Sequence, residues 1–224
     1  LGLLLKLSGI KSIDSIFLEK AANAIIEGKI IAYPTNTVYG LGGDPFNLNV
    51  IDKIFSIKFR ERNKGFPILV SDLNEAMKIG RFNIFAKRIA EKFWPGQVTL
   101  VVDKIVSSIP DELTGGSKTI AIRIPENKII LKILEIIKNK GYFGGIIGTS
   151  ANISDHENII KGEDIPKILF GQIDVIIDGG LTLTKIPSTI IDCSSVEKKF
   201  ELKFLRIGSV TKEDILSIFN NREG

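Results

Sequence analysis

The chain has 224 residues, of which 44% are hydrophobic and 25% charged, too apolar for a disordered segment and long enough for one substantial core. A formal charge of +4 suits nucleotide phosphates or a transient nucleic-acid partner, but falls short of a dedicated nucleic-acid binder. With Cys193 and His156 as the single residues of their types, a disulfide framework and a Cys/His zinc cluster are excluded, as are Ser-His-Asp and Cys-His catalysis unless His156 serves alone in its polar loop. A reducing, cytoplasmic setting follows.

In chain order, the N-terminal LGLLLKLSGI is interrupted by Lys6 and Ser8 and is far below the ~20 apolar residues of a membrane span. It also lacks a signal-peptide pattern, so it reads as an edge strand or a tacked-down terminus. Leu18, Ala21, Ala22, Ile25 and Ile26 follow helical spacing, with Gly28 where a left-handed C-terminal residue is wanted. That helix feeds a strand from Lys29 to Tyr33, which leaves through Pro34 into the Gly-rich turn of YPTNTVYGLGG. Asn49 can cap a second helix through Phe55, and Asn83 a third from Ile84 to Phe93, ended by Pro95-Gly96. Asn127 starts a further helix stopped by Gly141, and Thr211 with Asp214 begins a terminal one.

Strands are expected at Ile68 to Val70, Val98 to Val102, Thr119 to Ile124, Ile146 to Thr149, Val175 to Ile177, Thr189 to Ile191 and Phe200 to Leu205. Helices and strands intermix without a linker, repeat or low-complexity tract, which points to a single α/β domain over residues 1–224 with a mixed sheet.

Two Gly-rich segments are decoys. Gly40-Leu41-Gly42 lacks the third glycine of a dinucleotide fingerprint, since Pro45 stands there, and Gly115-Gly116-Ser117-Lys118-Thr119 lacks the upstream glycine and strand of a P-loop, so it reads as a hairpin turn. The better candidates are polar residues at strand ends. Lys53, Lys58, Arg60, Arg62 and Lys64 form a basic run that ends at a strand edge, where Arg offers a planar fork for phosphate oxygens. Arg123 ends TIAIR, Ser150 and Asn152 follow GGIIGT, Ser188 follows Pro187, and Arg206 follows FELKFL. Convergence of such groups on one crevice is how an open α/β sheet holds a ligand.

These segments, YPTNTVYGLG, KFR with Lys64, FWPGQVTLVV, TIAIRIP, TSANISD, IPSTIID and FLRIG, occur together in an order that resembles the YrdC-like family of L-threonylcarbamoyladenylate synthases, in its short, single-domain form. The likeness runs from about Phe17 to about Phe219. It departs from the family pattern at Asn36, Glu61, Thr149 and Ile207, which bears on local loop geometry.

The resemblance implies an open, twisted mixed α/β sheet flanked by helices, with a concave, positively charged crevice. It implies condensation of L-threonine, bicarbonate and ATP to threonylcarbamoyl-AMP and pyrophosphate, the first step of threonylcarbamoyl modification of tRNA. Lys58 and Arg60 would be catalytic. Arg60, Lys64, Thr119, Asn152 and Arg206 would bind ATP, and Thr37, Arg123, Ser150 and Ser188 would bind L-threonine. Mg2+ would be held mainly by the ATP phosphates and not by a protein metal site. A downstream threonylcarbamoyl transferase is the implied partner, with direct tRNA contact left open and no membrane partner. A carbamoyl-transfer relative with zinc-finger parts is disfavoured by the single cysteine. The alternative from another class is an RNA- or tRNA-binding module without adenylating activity.

Overall fold

A computed structural model of the protein describes residues 2–35, 38–105, 109–153, 156, 159–165, 169, 171–182, 186–194 and 202–220. The strands form two sheets. The first runs β1 (Leu3–Lys6), β10 (Val175–Asp178), β2 (Ile31–Tyr33), β3 (Gly40–Gly42) and β9 (Thr149–Ser150), parallel through β2 and antiparallel beyond it. The second runs β12 (Lys203–Arg206), β11 (Thr189–Asp192), β6 (Val98–Lys104), β7 (Thr119–Arg123), β4 (Ile68–Val70) and β8 (Gly145–Ile147), with β5 (Gly80–Arg81) also against β6. Both sheets are mixed, as the interleaved pattern implies.

The helices are α1 (Lys11–Ile26), α2 (Leu48–Lys58), α3 (Leu73–Ile79), α4 (Ile84–Phe93), α5 (Asp111–Thr114), α6 (Lys128–Asn139) and α7 (Lys212–Asn220). Asn83 and Asn127 cap α4 and α6 as expected, accepting from Ala86 N at 2.9 Å and from Ile129 N at 3.0 Å. The cap of α2 is Asn47 and not Asn49. Asn47 keeps an extended backbone and its Oδ1 accepts from Asn49 N at 3.0 Å, so Asn49 already lies in the first turn. The seven-residue α3, capped by Asp72 on Glu75 N at 3.1 Å, is too short to give a periodic signal.

Strand alternation divides the interior. On β2, Ile31 and Tyr33 face the cluster formed with α1 and α6, while Ala32 faces a larger core shared by both sheets; on β10, Val175 and Ile177 are separated from Ile176 in the same way. Ile130, Ile133, Leu134 and Ile137 supply the buried stripe of α6. Each such side chain contributes roughly 1.5–3 kcal/mol when fully removed from water.

The expected single strand from Ile146 to Thr149 is broken at Gly148. Residues 145–147 join the second sheet and 149–150 the first, so this segment stitches the two together. The expected glycine turn after Tyr33 is likewise a strand. β3 returns antiparallel to β2 because Gly40 leaves room for the Tyr33 ring and Gly42 lets the chain pass against the Ile147 carbonyl. A Cβ on Gly42 would overlap that backbone oxygen, and neither partner is a flexible side chain. Gly42→Ala should therefore lower unfolding stability by about 2 kcal/mol or more, read from the urea midpoint.

Candidate active site

A cleft of about 560 Å³ opens over one face of the second sheet and is walled by the turn leaving β2 and by β9. Its position follows from alternation in two neighbouring strands. Val98, Leu100 and Val102 on β6, with Ile120 and Ile122 on β7, enter the core, which turns Thr99 and Val101, and Thr119, Ala121 and Arg123, toward the opening. Arg60, Arg123 and Arg206 line it together with Thr119, Ser150 and Ser188. Among the described residues, no Asp or Glu does.

Arg123 is 7% exposed, and its Nε donates to Gly96 O at 2.8 Å. That carbonyl belongs to the FWPGQ segment, whose Trp94–Pro95 bond is cis and whose Gly96 N donates back to Ile124 O at 2.9 Å. Gly96 has no space for a side chain, since a Cβ would meet the Phe93 carbonyl. Burial draws the Arg123 pKa down to about 10, with the Tyr33 oxygen opposing and the Arg206 cation adding to the shift. The guanidinium stays charged at neutral pH.

Arg206 reaches the same end of the cleft from β12. Its Nε donates to Ser188 O at 3.0 Å and its Nη2 to Ser188 Oγ at 3.1 Å, and Ser188 Oγ lies 2.9 Å from Thr99 Oγ1. Burial lowers its pKa as well. Because Ser188 Oγ accepts from Arg206, its own proton is free to go to Thr99 or into the cleft. Thr99 thus belongs to the site although its sequence context, an apolar strand, gives no sign of it. Tyr33 is a second such residue: it lines the cleft fully buried, with its hydroxyl donating to Ile147 O at 3.2 Å and its pKa raised by burial.

The basic run is divided by the end of α2. Phe59 adopts φ 49° and ψ 39°, a left-handed C-terminal residue that turns Lys58 inward and Arg60 toward the cleft. Arg60 is held by backbone oxygens, Nε to Lys64 O at 2.6 Å and Nη2 to Gly65 O at 2.9 Å, with its guanidinium 5.1 Å from the Phe66 ring centre. Lys53 pairs with Asp174 at 3.3 Å, Arg62 with Asp52, and Lys64 with Glu61 at 3.2 Å, all at exposed positions.

Lys58, Lys64 and Asn152 are not among the lining residues. Lys58 is 2% exposed, and its ammonium meets Ser150 O at 2.6 Å and Asn152 O at 2.5 Å. Burial, and secondarily Arg60, lowers its pKa to about 8. Asn152 is buried and donates through Nδ2 to His156 O at 2.5 Å, which keeps its Oδ1 toward Lys58. Thr37 lies outside the described residues. Among the described residues, no group of three His, Cys, Asp or Glu side chains could hold a metal ion. Cys193 is buried, its thiol pushed up to about 12 by burial and by Asp192, and it takes no part in the cleft. The Gly115-Gly116 turn precedes β7 at positive φ and brings Ser117 to the rim, 2.9 Å from Thr119 Oγ1.

The chain has an α/β fold with a candidate ligand cleft on the open face of a mixed sheet, lined by arginine and hydroxyl side chains. The chain belongs to the Sua5/YciO/YrdC family, whose model, described as telomere recombination, matches residues 23–208. A threonylcarbamoyl-AMP synthase of Pyrococcus abyssi is 34% identical over 196 residues, 87% of this chain and 55% of its own. The Bacillus subtilis protein of the same name is 31% identical over 202 residues, 90% of this chain and 56% of its own. The chain thus spans just over half the length of these relatives. The crystal structure of P. abyssi Sua5 complexed with L-threonine superposes with a TM-score of 0.85 at 30% identity, covering 97% of this chain and 60% of that one. E. coli YciO shares the fold, with a TM-score of 0.79 at 23% identity over 93% of this chain and 97% of its own.

Phe59 is 72% exposed, so its ring contributes little burial to offset a backbone conformation that disfavours any side chain. Phe59→Gly should raise stability by up to about 1 kcal/mol, measured as a higher thermal midpoint.

Proposed function

We propose that this chain is an L-threonylcarbamoyladenylate synthase domain, joining L-threonine, bicarbonate and ATP to give threonylcarbamoyl-AMP and pyrophosphate for tRNA modification. The observation that carries the reading is the cleft itself: three arginines and several hydroxyls over one sheet face, with no carboxylate among its described lining residues. Such a lining favours ligands rich in negative charge, and both the amino-acid carboxylate and the triphosphate qualify. The threonylcarbamoyl-AMP synthase names of the P. abyssi and B. subtilis relatives, and the L-threonine complex of P. abyssi Sua5, support the choice of substrates.

In this reading Arg123 takes the threonine carboxylate, with Ser150 and Ser188 beside it and Thr37 completing the set. Arg60, Thr119 and Arg206 take ATP, with Lys64 and Asn152 as outer contacts. The threonine amine adds to CO2 with loss of its proton, or to bicarbonate with loss of water, to form a carbamate. A carbamate oxygen then bonds to the α-phosphorus as the bridge to the β-phosphate breaks, and pyrophosphate leaves with that electron pair. The protein's part is to hold the reactants in line and to offset charge on the phosphate oxygens, which needs no histidine base. Mg2+ would enter with the ATP phosphates, since among the described residues the lining offers hydroxyls and no carboxylate. A cytoplasmic setting and a downstream threonylcarbamoyl transferase belong to the same proposal. Among the described residues no helix is long and apolar enough to cross a membrane. The RNA-binding alternative has less support, because the exposed cations of the basic run outside the cleft, Lys53, Arg62 and Lys64, are each matched by a carboxylate.

Pyrophosphate release from ATP should require L-threonine and bicarbonate together, because the attacking oxygen exists only after the carbamate has formed. Equal release with ATP alone would reduce the protein to an ATPase and overturn the reading.

Arg123→Lys should raise the KM for L-threonine well beyond any change for ATP, since a point charge cannot offer a carboxylate two parallel hydrogen bonds. Steady-state KM values for both substrates test this, and a loss confined to ATP would put Arg123 on the nucleotide side.

A further inference from the structure

Lys58 has the surroundings of a bound monovalent cation. Its Nζ donates to the backbone oxygens of Ser150 at 2.6 Å and Asn152 at 2.5 Å, and Ser150 Oγ and Asn152 Oδ1 lie at 3.4 and 3.5 Å. Three N–H bonds therefore face four oxygens, and the side chain is 2% exposed and absent from the cleft lining. No donor is left over for a phosphate in the cleft.

Among the described residues the chain around these oxygens has few other hydrogen bonds, although Ala151 packs in the core. β9 is two residues long, paired with β3 only as Leu41 with Thr149 and Gly40 with Ser150. Beyond it, Ala151 N donates to Tyr39 O at 2.8 Å and the Asn152 amide is tied to His156 O. Two carbonyls two residues apart that converge on one point repel each other in a buried setting unless a positive charge lies between them. Lys58 supplies that charge from the last turn of α2, and the left-handed Phe59 separates it from Arg60, which goes to the cleft.

We infer that Lys58 is a positioning residue and not a catalytic one: its ammonium is a tethered cation that gathers the Ser150 and Asn152 carbonyls and thereby sets Ser150 at the cleft. The inference deepens the synthase reading and rests on it for the effect on turnover. Its structural half can be read without any turnover.

The experiment is Lys58→Ala in the full chain, with and without n-propylammonium, which restores the atoms removed beyond Cβ. Tetramethylammonium, which has no N–H donor, is the control. Amide exchange at Ala151 reports the bend, and threonine-dependent pyrophosphate release reports the reaction. Faster exchange at Ala151 is expected, with release slowed about 100-fold, the scale of a reacting group displaced by about 1 Å. Propylammonium should reverse both changes and tetramethylammonium neither. Wild-type exchange at Ala151 combined with lost turnover would make Lys58 a substrate contact and overturn the inference, as would faster exchange that propylammonium does not slow. If the alanine variant fails to fold, Lys58→Met keeps the length without the charge, and wild-type exchange at Ala151 in that variant is equally decisive against it. A wild-type protein that releases no pyrophosphate would sink the synthase reading alone and leave the exchange result standing.

Discussion

The β6–β7 pair must be dry on one face and cationic on the other, and the rest of the molecule is arranged around that requirement. Leu100 and Ile122 sit directly across from each other in the core, while one residue along, Ala121 and Val101 floor the cleft. A slip of one residue in this register would bury Arg123 among isoleucines and expose the core face. Register here is set by the apolar face, so the same side chains that stabilise the fold also aim the site.

Holding an arginine at the end of such a strand carries a desolvation cost, which the structure offsets locally. The FWPGQ segment folds back to present Gly96 O to Arg123, and the absence of a side chain on Gly96 is what allows that approach. Arg206 is steadied in the same way by the backbone and hydroxyl of Ser188. Backbone oxygens orient both guanidiniums, and both line the cleft. The exposed cations of the basic run differ. Lys53, Arg62 and Lys64 are matched by carboxylates, and surface pairs of this kind contribute little to stability and weaken with salt.

Legibility in the sequence followed the strength of local signals. The Asn83 and Asn127 caps and the β-branched TIAIR run are short-range patterns, and each produced the element expected. Polar residues at strand ends were also legible, and Arg123, Ser150, Ser188 and Arg206 come together in one cleft with Arg60 of the basic run and with Thr119, which only the family resemblance had pointed to, while Asn152 does not line it. Thr99 and Tyr33 were not, because within apolar strands their side chains look like core until the neighbouring strands show which face they occupy. Asn47 was passed over for Asn49 because two asparagines lie within reach of the helix start and backbone geometry alone separates them.

The sequence by itself determined the elements with strong local patterns, such as α4, α6 and β7, that no disulfide framework can form, and which strand-end cations were candidates for a ligand. These follow from period, capping chemistry and composition, all local quantities. Only the tertiary structure decided that the strand expected at residues 146–149 is divided between two sheets, and that neighbouring members of one basic motif have different fates, with Lys58 under the Ser150 bend and Arg60 in the cleft. Both depend on contacts between residues about 95 to 105 positions apart, such as Gly43 with Ile147 and Lys58 with Asn152. No local pattern encodes where such partners meet.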